Sequence, residues 1–77
     1  MPKLPVLKPR EMISFLEKHG FQVVRSDGSH FRFHHPDGRR TTVAFHNKPL
    51  KRGTLKSILR QSELTTDDLV DFLHKNN

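Results

Sequence analysis

Cysteine is absent from the 77 residues. Its absence excludes disulfide staples, thiolate metal ligands and thiol catalysis, and it suits a reducing, cytoplasmic setting. Long apolar runs are missing as well. The opening stretch Met1-Pro2-Lys3-Leu4-Pro5-Val6-Leu7-Lys8-Pro9 is broken by three prolines before a signal-peptide core can form, and no stretch approaches the ~20 apolar residues of a membrane helix. A chain of this kind is expected off the membrane. Equally missing are a glycine-rich phosphate loop, a serine triad and a paired-carboxylate signature. His34 and His35 are consecutive and would point to opposite faces of a strand. No cysteine or carboxylate cluster joins His30 and His46 to complete a tetrahedron, so neither a metal site nor a cofactor is expected.

Acidic residues are scarce in most of the chain. Residues 1–62 hold 13 of the 14 Lys and Arg but only 4 of the 8 Asp and Glu, a balance of +9. Residues 63–77 set Lys75 against Glu63, Asp67, Asp68 and Asp71, a balance of −3. A cationic body of this size favours a polyanion such as RNA, because each phosphate it neutralises releases condensed counterions. The length allows one domain spanning residues 1–77, with 1–8 read as a loosely ordered N-terminal extension. So short a chain buries only roughly 60% of the surface it exposes when unfolded.

Periodicity sets out the elements. Pro9 suits a first helical turn, Met12, Ile13 and Leu16 recur at helical spacing, and Gly20 suits a left-handed cap. The first helix is therefore expected over Pro9–His19. Phe21–Arg25 reads as a short strand, Ser26–Ser29 as a turn, and His30–His34 as a strand of strict alternation. Pro36-Asp37-Gly38 predicts a tight hairpin into a third strand, Thr41–His46. After a basic loop, Asn47–Gly53, a second helix is expected over Thr54–Gln61, with Leu55, Ile58 and Leu59 on its apolar face. A last short helix begins at Thr65, which can cap it together with Asp68. The fold class is α+β: helix, three-stranded antiparallel sheet, helix, short C-terminal helix.

Strand parity then bears on chemistry. Phe31 and Phe33 share one face, and His30, Arg32 and His34 the other; Val43 and Phe45 oppose Thr42, Ala44 and His46 in the same way. The hairpin turn pairs His35 with Arg39 and His30 with Ala44, which leaves His46 diagonal to His30 on the polar face. Cβ atoms so placed lie about 5–8 Å apart, within reach of one phosphodiester. Metal-free RNA cleavage needs a base for the 2′-hydroxyl proton and an acid for the leaving 5′-oxygen, and histidine serves either role near neutral pH. Lys48, Lys51 and Arg52 follow His46 closely and can stabilise charge on the phosphorane.

These residues also carry a family likeness. Gly28-Ser29-His30 opens the second strand, His35-Pro36-Asp37-Gly38 fills the hairpin, Val43-Ala44-Phe45-His46 closes the third strand, and Lys51-Arg52-Gly53-Thr54-Leu55-Lys56-Ser57-Ile58-Leu59-Arg60-Gln61 starts the second helix. In this order and spacing they resemble the HicA toxin family from about Pro9 to Leu73. The resemblance implies a fold like the double-stranded RNA-binding domain and a metal-independent mRNA interferase activity. It also implies that the histidine matching His30 is the active residue and that a HicB antitoxin covers it. Ala44 stands where the family often has proline, a change that leaves a ladder donor in place.

The expected function is thus an endoribonuclease toxin with His30 as general acid or base and His46 as candidate partner. Gly28, Ser29, Arg32, Lys48, Lys51, Arg52, Lys56 and Arg60 are expected to hold RNA, with mRNA as substrate. Two other readings compete: a non-catalytic basic RNA-binding module of the same fold, and a chain whose cationic face serves chiefly an acidic protein partner.

Overall fold

The computed structural model describes residues 4–75, so Met1, Pro2 and Lys3 of the expected extension, and residues 76–77, lie outside the described residues. The order is α1 (Pro9–Lys18), β1 (Gln22–Asp27), β2 (His30–His34), β3 (Arg40–Ala44), α2 (Arg52–Ser62) and α3 (Thr66–Lys75), with one antiparallel sheet ordered β1-β2-β3. This is the expected α+β architecture, consistent with a double-stranded RNA-binding-domain-like fold. Among the described residues no helix is long and apolar enough to cross a membrane.

Helix α1 ends as its glycine foretells. Gly20 adopts φ +92°, the Phe21 N–H returns to the Leu16 carbonyl at 3.0 Å, and the Gly20 N–H to Glu17 at 3.1 Å. These two bonds satisfy carbonyls that the helix end would otherwise orphan. Glycine is required at this point, since a Cβ on residue 20 would lie 2.8 Å from Nε2 of His35. Helix α3 starts with a reciprocal cap: the Thr65 N–H donates to Asp68 Oδ2 at 2.9 Å, and the Asp68 N–H to Thr65 Oγ1 at 3.0 Å.

The sheet buries one face only. Phe33 and Val43 are buried, and Thr41, opposite Phe33, hands its hydroxyl proton to Gln61 Oε1 at 2.8 Å. Helices α1 and α2 cover this face with Met12, Phe15, Leu16, Leu55, Ile58 and Leu59, and Leu69 and Phe72 of α3 close the core. Leu7, assigned by the sequence to a loose extension, is wholly buried in that core, and its carbonyl accepts the Leu50 N–H at 2.7 Å.

Several boundaries differ from expectation. β1 runs from Gln22 to Asp27 rather than Phe21–Arg25, because a two-residue turn with Gly28 at φ +60° closes the hairpin and releases Ser26 and Asp27 to the ladder. β3 stops at Ala44 instead of His46, since the chain must turn there to carry Leu50 into the core beside Leu7. Phe45, expected beside Val43 in the core, is consequently exposed. α2 starts at Arg52, two residues early, and runs to Ser62, where its C-cap Glu63 takes the left-handed conformation (φ 58°) without being glycine.

The hairpin between β2 and β3 is clamped to the helix ends. Arg39 binds the Asp37 carboxylate through Nε at 2.8 Å, donates to the Ser62 carbonyl at the end of α2, and lies 5.1 Å over the Phe21 ring. His35 packs edge-on against the same ring at 5.1 Å. The Arg39 backbone N–H, with the charges of Arg39 and His35, holds the Asp37 carboxyl below its ordinary range. This end of the sheet is locked. His30 sits at the other.

Candidate active site

The register is His30↔Ala44, Phe31↔Val43, Arg32↔Thr42, Phe33↔Thr41 and His34↔Arg40, as the hairpin turn predicts. Opposite partners share a face, so His30, Arg32 and His34 stand with Arg40, Thr42 and Ala44 on the uncovered side of the sheet. On β1, Arg25 pairs with Arg32 and Asp27 with His30, after a bulge between Val23 and Arg25. The uncovered face therefore carries Arg25, Arg32, Arg40, His30 and His34 against the single carboxylate of Asp27. Asp27 engages two of the arginines, with Oδ1 3.0 Å from Arg25 Nε and Oδ2 3.7 Å from Arg32 Nε. These exposed pairs are of the kind worth about 0–1 kcal/mol, and a phosphate can exchange for the carboxylate at little cost.

The His30 imidazole is exposed and makes no hydrogen bond or ion pair among the described residues. Its position follows from the turn. Gly28 supplies a positive φ that other residues resist, Ser29 follows, and the Ser29 carbonyl accepts the Phe45 N–H, extending the ladder one bond past β3. His30 thus stands at the free end of the sheet on a short, well-tied hairpin.

Beyond Ala44 the chain forms two adjoining clefts that share His46 and Asn47. One, of about 620 Å³, is lined by Ala44, His46, Asn47, Lys48, Lys51 and Thr54, among others. A smaller one, of about 270 Å³, is lined by Lys8, Pro9, Arg10, Phe45, His46 and Asn47. Ala44, which lines the larger cleft, is the direct cross-strand partner of His30. Lys51 caps α2 without a side-chain hydrogen bond, and the first turn holds no acidic residue. Lys51 and Thr54 of this helix start line the larger cleft, and the unpaired amides of a helix N-terminus favour anions.

Of the expected site residues, Gly28, Ser29 and His30 sit at the β1–β2 turn, Arg32 on the uncovered face of β2, and His46, Lys48 and Lys51 around the larger cleft. Arg52, Lys56 and Arg60 form an exposed row along α2 at four-residue spacing, about 6 Å per step, so that Arg60 lies some 12 Å from the helix start. Because β3 ends at Ala44, strand parity does not govern His46; the two clefts do. Lys8, Arg10, Arg25, Asp27 and Asn47 are not marked out as site residues by the sequence; the cationic balance is a signal for the three basic ones, and Asp27 and Asn47 carry none. No group of three or more His, Cys, Asp or Glu able to hold a metal occurs among the described residues.

The chain is thus a small basic α+β domain with an exposed histidine after Gly28-Ser29. The family model of the HicA toxin of bacterial toxin-antitoxin systems matches residues 9–64, and the chain belongs to that family. A search of curated proteins gave no match.

Proposed function

We infer that this toxin is an endoribonuclease, an mRNA interferase that cuts RNA without a bound metal and uses His30 as general acid or base. The observation that carries the reading is the exposed His30 at the start of β2, tied to the Gly28-Ser29 turn and paired across the ladder with Ala44, which lines a cleft bordered by Lys48 and Lys51. In such a reaction the 2′-oxygen loses its proton and bonds to phosphorus. The bond from phosphorus to the 5′-oxygen breaks, and that oxygen gains a proton; the products end in a 2′,3′-cyclic phosphate and a 5′-hydroxyl. His30 moves one of these protons, and His46 is the candidate for the other. Lys48, Lys51 and the first amides of α2 oppose the charge that builds on the phosphorane. Arg32, Arg52 and Lys56 hold neighbouring phosphates, and Arg60, farthest from the start of α2, makes a weaker contact. A HicB-type antitoxin silences the enzyme by covering His30.

One observation favours a second reading. No side chain among the described residues orients the His30 ring, whereas a catalytic histidine usually gains its tautomer from a partner. A non-catalytic RNA-binding module would need no such partner. Incubation of the pure protein with RNA in EDTA discriminates the two. Fragments with cyclic phosphate ends support the nuclease; salt-sensitive binding with intact RNA supports the module.

A further inference from the structure

The geometry points to Phe45 as a stacking platform for a nucleobase of single-stranded RNA, at a subsite on the α1 side of the sheet end whose other side carries His30; this rests on the RNA-cleaving reading above. Of the six phenylalanines, Phe15, Phe21, Phe33 and Phe72 are buried and Phe31 is half-buried, whereas Phe45 is 43% exposed. A lone exposed phenylalanine is unremarkable in itself. What distinguishes this one is its setting.

The ring is backed by Phe31, with centroids 5.6 Å apart and planes tilted by 53°, so its place is fixed from behind. Its own N–H is bonded to the Ser29 carbonyl, which ties the ring to the residue preceding His30. It borders the smaller cleft with Lys8 and Arg10 on the α1 side and His46 and Asn47 on the other. Cations around an aromatic face are the makeup of single-strand RNA sites, in which bases stack while phosphates meet Lys and Arg. The Asn47 amide offers both donors and an acceptor, enough to read a base edge. Phe45 shares the Phe31 side of the sheet and His30 the other, so a strand that has its scissile phosphate at His30 and a base on Phe45 passes round the free end of the sheet.

The test uses the full chain and a short 2′-O-methyl RNA oligonucleotide, whose blocked nucleophile prevents cleavage, with heparin as a polyanion lacking bases. Phe45→Ala is expected to weaken oligonucleotide binding on the order of tenfold, as loss of one stacked base does, while leaving heparin binding unchanged. The chain contains no tryptophan or tyrosine, so Phe45→Trp adds a single fluorophore at the site. Its emission is expected to change on binding the oligonucleotide and not on binding heparin. This arm holds even if Phe45→Ala fails to fold. Unaltered oligonucleotide affinity in a folded Phe45→Ala, or a silent tryptophan at saturation, overturns the stacking role alone and leaves the ring to a protein partner. Failure of the parent chain to bind RNA at all overturns the nuclease reading and the subsite with it.

Discussion

His30 and Ala44 face each other across the β2–β3 ladder, and Ala44 also lines the cleft bordered by His46, Lys48 and Lys51. Substitutions on the two sides of the pairing should therefore affect one activity. His46→Ala is expected to lower the cleavage rate by about 10²-fold, the lower range for losing a proton-transfer group, with little change in RNA affinity. Full activity in this variant, measured on a labelled RNA, would remove His46 from the chemistry and leave His30 in place.

The row of cations along α2 predicts a gradient. Lys51→Ala, beside the cleft, should lower the slope of log affinity against log salt by about 0.7, the share of one phosphate contact to single-stranded RNA. Arg60→Ala, two turns further on, should lower it less. Equal slopes for the two variants would place the RNA along the whole helix rather than at its start.

Gly20 and His35 form a tight pair, so Gly20→Ala meets both an unfavourable φ and a ring 2.8 Å from the new carbon. A loss of about 1–3 kcal/mol is expected in urea unfolding. The reverse case is Glu63, whose φ of 58° suits glycine. Glu63→Gly should stabilise the fold by about 0.5–1 kcal/mol, and a destabilisation would show that the Glu63 side chain contributes more than its backbone strain costs.

Acid should weaken the cap of α3. Hydrogen bonds from Thr65, backbone first and side chain second, hold the Asp68 carboxyl below its ordinary value of 3.8, with the His19 charge adding to the effect. A carboxyl whose pKa is depressed by folding contributes stability above its unfolded pKa, and that contribution is lost as pH falls through the folded value. Thr65→Ala should cost about 1 kcal/mol near neutral pH. The difference between parent and variant should shrink below pH 3.8, as followed by denaturant titration at several pH values.

Much of the frame was legible because alternation leaves little choice. In His30-Phe31-Arg32-Phe33-His34 a slip of one residue would expose both phenylalanines, so the register with β3 followed from parity and turn length alone. The Gly20 cap and the Thr65–Asp68 box were readable because each relies on a residue type with a specific backbone role. What escaped depended on tertiary contacts. Arg52 and Gly53 look like loop residues, and only the packing of Leu50 and Leu55 brings them into α2. The end of β3, and with it the exposure of Phe45 and the setting of His46, follows from the Leu7–Leu50 contact, a pairing of distant residues without a local signal. Glu63 carries none of the glycine that usually marks a left-handed cap. Asp27 was passed over as a turn residue, although the two-residue turn returns it to the strand opposite His30.

The most direct measurement compares the parent chain with His30→Ala on the same RNA in EDTA, with circular dichroism confirming that the variant is folded. The parent is expected to release fragments ending in 2′,3′-cyclic phosphate, and the variant to bind RNA as the parent does while cutting at least about 10²-fold more slowly. Undiminished cleavage by a folded His30→Ala would contradict the assignment of His30 as the residue that carries the chemistry.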